Sequence, residues 1–363
     1  MKTIADGLQQ DGDNFLLLRC LAAAMVIYYH ATLTTGGGGP PDICLWLNWD
    51  ESSGRIAVDF FFVTSGFLVT GSFLRRQHVV DFVRARFIRI VPAYTVCILL
   101  CTFVMGPLFT NMSFRDYFFD PGTYTYAANN LNLYMNSDLK WNLPGVFAGN
   151  PQTTMVNGSI WSLVIEVRMY LCAALLGLFG VLSRRWLFNI VLTWLLILGA
   201  SHPESIPFLF LQQGYFAKIS ALFGLGAFCY VNRAWMPIHG GIVLALIALT
   251  YACRSTGRYP YLFAVSEVFF VFWFAYNIPW RGFDRFGDYS YGMYLWGYPA
   301  QQMLAAMFGG LTHLVNALFG LVIAGALGVA SWHLVEKPAL RLKGLPSKLM
   351  RKFRDGLATL AAE

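Results

Sequence analysis

Apolar runs of about 20 residues recur along this chain from end to end, and each can carry a helix across a hydrocarbon core about 30 Å thick. They fall at 15–34, 56–74, 90–109, 159–182, 187–201, 213–231, 238–254, 260–279, 290–309 and 314–335. Only 12% of the residues are charged and 57% are hydrophobic, against about 25% charged in an ordinary soluble domain. There is too little polar surface to coat a soluble particle, so the expected fold is all-α. It is a polytopic integral membrane protein with about ten transmembrane helices in one bundle. Residues 1–343 form that unit, with an outer loop or cap at 110–158, and 344–363 form a basic cytoplasmic tail. The tail could lie as an amphipathic helix on an anionic leaflet.

The distribution of charge says more than its sum of +7. With ten crossings both ends lie on one side. That side holds 18 of the Lys and Arg residues, among them Arg75, Arg76, Arg84, Arg86, Arg89, Arg184, Arg185, Arg233 and the tail; the other holds at most 6. The bias sets both termini in the cytoplasm of a cell inner membrane. No nucleic-acid module accompanies the basic residues. The run at 15–34 is too long for a signal-peptide core and is expected to remain as the first helix. The seven cysteines sit mostly in apolar runs with no CxxC pair. Cys97 and Cys101 share a helical face but have no histidine near them, so neither a metal site nor a disulfide framework is implied.

Ionisable groups inside membrane helices are costly and mark candidate sites. Arg19 and His30 lie eleven positions apart on the first run, which puts them on one face about 16 Å apart along the axis. A fixed cation near the cytoplasmic end and a base near the outer end suit chemistry that spans the bilayer; a snorkelling arginine and a headgroup-level histidine are the plainer reading. Asp59, on the second run, should sit at the depth of His30 and could orient its imidazole. Ser65–Gly66 lies near mid-membrane, where small residues admit a neighbouring helix or a thin ligand. On the fourth run Trp161 marks the outer interface, and Ser162, Glu166 and Tyr170 share a face. Glu166 falls near the level of His30, unless it serves an interhelical ion pair, as Arg168 could with Glu267. Arg86 and Arg89, with Arg84, make a cationic cluster in the second cytoplasmic link. Such a cluster is either a topology signal or a holder for the phosphates of a nucleotide-like ligand.

The order of these strings resembles the integral membrane acyltransferase family 3. They are Arg19 and His30; Phe61, Phe62, Ser65 and Gly66; Arg86, Arg89, Pro92 and Tyr94; Trp161, Ser162, Leu163, Glu166 and Tyr170; Gly287 to Trp296; and Glu336, Lys337 and Pro338. The resemblance spans roughly residues 15–343. It implies an O-acyltransferase that takes acyl-CoA, acetyl-CoA by default, as donor substrate and needs no metal. The acceptor implied is an extracytoplasmic carbohydrate such as an exopolysaccharide or O-antigen. The layout of the residues fits this, with His30 as general base, Asp59 or Glu166 orienting it, and the donor held by Arg86, Arg89 and Arg19 with its thin arm past Ser65–Gly66; direct transfer and an acyl-His intermediate both stay open. Trp161, Ser162 and Tyr170 fall to the substrate. Relatives often carry His directly after the Tyr-Leu-Trp string, where this chain has Gly297. The chain also ends soon after the tenth run, with no appended hydrolase-like domain, so transfer is expected to be direct or to a separate partner. No string specifies the acyl chain, the glycan or an oligomeric state. Two other classes remain open on the residues alone. One is a transporter or lipid flippase using buried His, Asp and Glu for coupling, against which stands the lack of an inverted repeat. The other is a non-catalytic subunit of a glycan export complex.

Overall fold

A computed structural model describes residues 1–36, 42–76, 78–132, 138–202, 205, 214–280 and 282–342. The basic tail at 344–363 lies outside the described residues. Among these the chain is 75% helical with no strands, and each of the ten apolar runs falls on a helix. These are α1 (Phe15–Thr34), α2 (Ser53–Arg76), α3 (Val79–Leu100), α4 (Trp161–Leu178) and α5 (Arg185–Ser201), followed by α6 (Gly214–Val231), α7 (Gly240–Ala252), α8 (Tyr259–Asn277), α9 (Ser290–Met307) and α10 (His313–Ser331). Among the described residues six stretches are long and apolar enough to cross a membrane: α1, α2, α4, α8, α3 extended to Phe109 and α10 extended to Arg341. Both extensions pass through a π-helical turn, Cys101–Met105 and Trp332–Glu336. α9 is as long as α4 but more polar, and it is buried on most sides, with Gln301 and Gln302 fully enclosed. Bilayer-spanning backbone must satisfy its own hydrogen bonds, so helix is the form these runs take.

α2 is the hub, packed on α1, α4, α6 and α8; α9 lies against α10 and α1. The α2–α6 contact is close because each helix offers the other a glycine. A Cβ on Gly66 would stand 2.0 Å from the Phe223 carbonyl oxygen, and one on Gly226 would stand 2.1 Å from that of Val63. Gly66 therefore faces α6, while Ser65, 100° round the helix, faces a different space. Of the two readings of Ser65–Gly66, helix packing takes the glycine. Gly66→Val forces the backbones apart, and a loss of about 2–4 kcal/mol in stability is expected from overpacking at two facing elements. Thermal unfolding in detergent measures it; a midpoint unchanged from wild type would contradict the packing account.

α3 begins eleven residues before the apolar run expected at 90–109. Arg84, Arg86 and Arg89 thus sit within its first turns rather than in a link, and Pro92 is inside the helix. The apolar pattern missed this because three arginines break it in the early turns, Arg86 and Arg89 facing a cavity and Arg84 the end of α10 at the basic end. There the N-terminal segment pairs with the turn after α6: Ile4 N–H donates to the Met236 carbonyl (3.0 Å) and Ala5 N–H to that of Arg233 (3.0 Å). Asn14 Nδ2 donates to the Ile278 carbonyl at 2.7 Å, and Arg84 donates to the Leu342 carbonyl. The first turns of α1 and α3 and the end of α10 lie at one end of the bundle.

At the opposite end, short helices at Phe114–Phe119 and Pro121–Leu131 lead into irregular chain that runs back over α9. Gln302 Nε2 donates to the carbonyls of Thr153 (2.9 Å) and Met155 (2.6 Å). Asn157 Nδ2 donates to the Leu295 carbonyl at 2.9 Å. Asn130 holds Lys140 by both its N–H and its carbonyl.

Candidate active site

A narrow cavity of about 80 Å³ runs between α1, α2, α3, α4 and α9. Its wall includes Arg19, Ser65, Arg86, Arg89, Ser162, Glu166 and Tyr170, which are seven of the eleven residues singled out in the sequence. Tyr291 and Tyr294 of α9 complete it. The arginines enter from the basic end because α1 and α3 begin there. Glu166 and Tyr170 come down from the other end, since α4 runs the opposite way.

Two of the three arginines are already matched. Arg89 Nη1 lies 2.9 Å from Glu336 Oε2, and its Nη2 pairs with Asp288. Arg19 Nη1 lies 3.2 Å from the same Asp288 oxygen. Ser290 Oγ donates to Asp288 at 2.6 Å and Ser331 Oγ to Glu336 at 2.9 Å. Asp288 precedes α9. Burial opposes its charge, but the Arg89 and Arg19 guanidiniums and Ser290 outweigh burial and hold its carboxyl down at about 2. A depressed carboxylate stabilises the fold above its ordinary value of 3.8 and loses that contribution as pH falls toward 2. Two cations against two carboxylates leave this part of the wall close to neutral.

Arg86 is different. It makes no ion pair or hydrogen bond among the described residues, and its buried Nε has no partner. Its guanidinium instead lies over two rings, 5.8 Å from the centroid of Tyr170 and 5.9 Å from that of Phe82. An unmatched guanidinium facing a cavity is available to an anion.

Deeper in, Glu166 Oε1 accepts from Tyr170 Oη and, at 3.1 Å, from Ser65 Oγ. Ser65 and Tyr170 are themselves 3.3 Å apart, so a carboxylate and two hydroxyls from α2 and α4 form a triangle on the cavity wall. Ser162 Oγ lies 2.7 Å from Tyr294 Oη, which donates to the Ser159 carbonyl at 2.8 Å. The arrangement offers a cationic mouth, a narrow apolar passage past Phe61 and Leu68, and hydroxyl donors at depth.

Four of the singled-out residues lie elsewhere. Gly66 faces α6. Trp161 packs on Tyr215 and Phe216 of α6, with centroids 5.6 and 5.5 Å away, as an apolar ring at a helix start does when a neighbouring helix can cover it. Asp59 does not reach toward His30. Its Oδ2 lies 2.6 Å from Lys218 Nζ, which also stands 3.0 Å from Glu51 and 3.9 Å from Glu267. Lys218 is inside α6, and its ammonium draws in all three carboxylates. Glu267 accordingly faces Lys218 instead of Arg168. His30 is buried, with the Tyr298 ring edge-on at 5.0 Å. Its Nδ1 has no hydrogen-bond partner, and no carboxylate pairs with the ring among the described residues. α9 grips α1 beside it: Gln301 Nε2 donates to the Ile27 carbonyl at 2.8 Å, and a Cβ on Gly297 would stand 2.7 Å from Ile27 Cγ1. A histidine at 297 would have to push these helices apart.

Sequence reasoning missed Asp288, Tyr291, Tyr294 and Lys218 as members of these networks. Asp288, Tyr291 and Tyr294 stand inside the Gly287–Trp296 string, which was their available signal. Lys218 falls inside the 213–231 run, and no string drew attention to it.

A family model described as an acyltransferase domain matches residues 14–334. The chain is 26% identical over 295 residues to an O-acetyl transferase of Shigella phage Sf6, a match covering 79% of this chain and 85% of that protein. It is likewise 26% identical over 311 residues to nodulation protein 10 of Rhizobium leguminosarum bv. viciae, covering 79% of this chain and 82% of that one. No solved structure matches. The motifs that line the cavity and the reach of the family match agree: the chain belongs to the integral membrane acyltransferase family 3.

Proposed function

We propose that this acyltransferase moves an acyl group, acetyl in the simplest case, from coenzyme A onto a hydroxyl of an extracytoplasmic carbohydrate. The observation that carries the reading is a cavity that is cationic toward the basic end and lined with hydroxyls at depth. The name of the phage relative, an O-acetyl transferase, supports the transferred group. The basic end faces the cytoplasm of the inner membrane on the charge argument, so the donor enters there. Its phosphates meet Arg86, while Arg19 and Arg89, tied to Asp288 and Glu336, shape the wall beside it. The pantetheine arm lies along Phe61, Ser65 and Leu68, which brings the thioester toward Glu166 and Tyr170.

The acceptor approaches from the capped end, past His30. The imidazole takes the hydroxyl proton as the acceptor oxygen attacks the thioester carbon. A C–O bond forms, the C–S bond breaks, and the departing sulfur recovers the proton from the imidazolium. The Ser65 and Tyr170 hydroxyls, now given to Glu166, can turn to the carbonyl oxygen as it gains charge. Asp59 has no part in this scheme, and Trp161 supports α6 rather than the substrate.

The test is acetyl-CoA binding and turnover by the purified protein in detergent, beside His30→Gln. Turnover should fall by about 10²–10⁴-fold, the range for loss of a general base, with donor affinity unchanged. Wild-type protein that neither binds nor cleaves the thioester would end the donor reading. Undiminished turnover in His30→Gln would move the base to another residue, Glu166 first.

A further inference from the structure

Another crevice lies at the basic end, away from the cavity. The N-terminal segment and the turn after α6 enclose a crevice of about 450 Å³, whose wall includes Leu8, Gln9, Arg185, Val231, Arg233 and Trp235. Its two arginines are held in place without being neutralised. Arg185 Nε donates to Asn232 Oδ1 at 2.8 Å, and its guanidinium lies 5.1 Å from the Trp235 ring centroid. Arg233 Nη1 donates to the Tyr230 carbonyl at 2.9 Å, with its guanidinium 4.9 Å from the Tyr230 ring. Neither pairs with a carboxylate among the described residues. Asn232 is itself fixed, exchanging hydrogen bonds with Asn189 at 2.9 and 3.2 Å. A sequence that needed only positive charge for topology would leave such side chains in water. Here each guanidinium is oriented by its own scaffold and keeps free N–H groups.

The surface next to the crevice supplies the rest of the argument. Trp186, Ile190, Trp194 and Ile197 are all exposed on α5. Their spacing of four, four and three puts them on one helical face, and the stripe begins at the residue after Arg185. Trp235 stands exposed at the crevice itself, as indole rings do at headgroup depth. A cationic crevice continuous with an apolar stripe matches a molecule with an anionic head and apolar tails.

We propose that the crevice binds the phosphate of an anionic phospholipid, whose acyl chains lie along the exposed face of α5. The phosphate takes the free N–H groups of Arg185 and Arg233. Because Ala5 N–H donates to the Arg233 carbonyl, the lipid also steadies the contact between the N-terminal segment and the turn after α6. This site is separate from the donor cavity and does not rest on the acyl-transfer reading.

The experiment is thermal unfolding of delipidated protein in detergent, with phosphatidylglycerol, phosphatidylcholine or inorganic phosphate added. A ligand that binds only the folded protein raises the midpoint, and phosphatidylglycerol should raise it by about 5 °C or more. Phosphatidylcholine and inorganic phosphate should do far less. The double variant Arg185→Gln/Arg233→Gln should lose the gain, Arg185→Lys/Arg233→Lys should keep most of it, and Arg254→Gln/Arg258→Gln, altered at the other end, should keep all of it. Native mass spectrometry of the two single glutamine variants, counting retained phosphatidylglycerol, covers the case in which the double variant does not fold. Equal stabilisation by phosphatidylcholine, equal stabilisation by inorganic phosphate, or full retention of lipid by the glutamine variants would each overturn the proposal.

Discussion

Arg86→Gln should leave the protein as stable as wild type and cost it the donor, whereas Arg89→Gln should cost it the fold. The two arginines are three residues apart on α3 and line the same cavity, so their sequence context predicts similar roles. Their partners separate them. Arg89 stands between Asp288 and Glu336, and Glu336 is almost fully buried. Removing the guanidinium leaves Glu336 without its cation and Asp288 with Arg19 alone. Breaking a buried pair from one side costs about 3–5 kcal/mol, because the remaining charge stays desolvated. Arg86 has no carboxylate to abandon, and its removal should change stability by less than about 1 kcal/mol. A charged hydrogen bond to a phosphate contributes about 1.5–3 kcal/mol, so coenzyme A affinity should fall by about 10- to 100-fold. Unfolding midpoints and coenzyme A titrations of the two variants check both halves. Coenzyme A binding by Arg86→Gln at wild-type strength would remove the anion role from this residue. An Arg89→Gln protein melting with the wild type would show that the four-residue network does not stabilise the fold.

The same contrast shows what the sequence could and could not reveal. The ten helices were legible because a run of apolar residues in lipid has one favourable backbone form, and their order needed no tertiary information. The early start of α3 was not, because Arg84, Arg86 and Arg89 interrupt the apolar pattern there, two of them turned to the cavity. Seven of the singled-out residues line one cavity; for Ser162, Glu166 and Tyr170 the spacing alone put them on one helical face, and that face does line it. Rotation about a helix axis was the part that one sequence does not encode. Ser65 and Gly66 are neighbours in a single motif, yet one faces Glu166 and the other the Phe223 carbonyl. Equal depth was a similarly weak guide. Asp59 and His30 were matched by level, but which side chain Asp59 meets depends on what α6 brings to that level, and α6 brings Lys218.

That ammonium is the subject of the second large effect. Lys218→Met should destabilise the protein by about 3–5 kcal/mol, the cost of leaving buried charge unpaired, and should do so without touching the cavity. Asp59 is fully enclosed and Glu267 nearly so. Together with Glu51 they put three carboxylates around one cation that links α2, α6, α8 and the segment before α2. Without the lysine these carboxyl groups lose the one cation that offsets their desolvation in a region of low dielectric. At about 2–4 °C per kcal/mol for a chain of this size or somewhat smaller, the unfolding midpoint should fall by about 6–20 °C. The double variant Asp59→Asn/Lys218→Met should recover part of the loss, because it removes one of the stranded charges along with their partner. That recovery separates two accounts of Asp59. If the carboxylate serves the Lys218 cluster, Asp59→Asn alters stability and couples strongly to Lys218→Met in a double-mutant cycle, while acetyl-CoA turnover per folded molecule stays close to wild type. If it orients His30 instead, Asp59→Asn lowers turnover in folded protein, and the stability effects of the two substitutions simply add. The 2.6 Å approach of Lys218 to Asp59, set beside an imidazole whose Nδ1 has no partner, favours the first outcome.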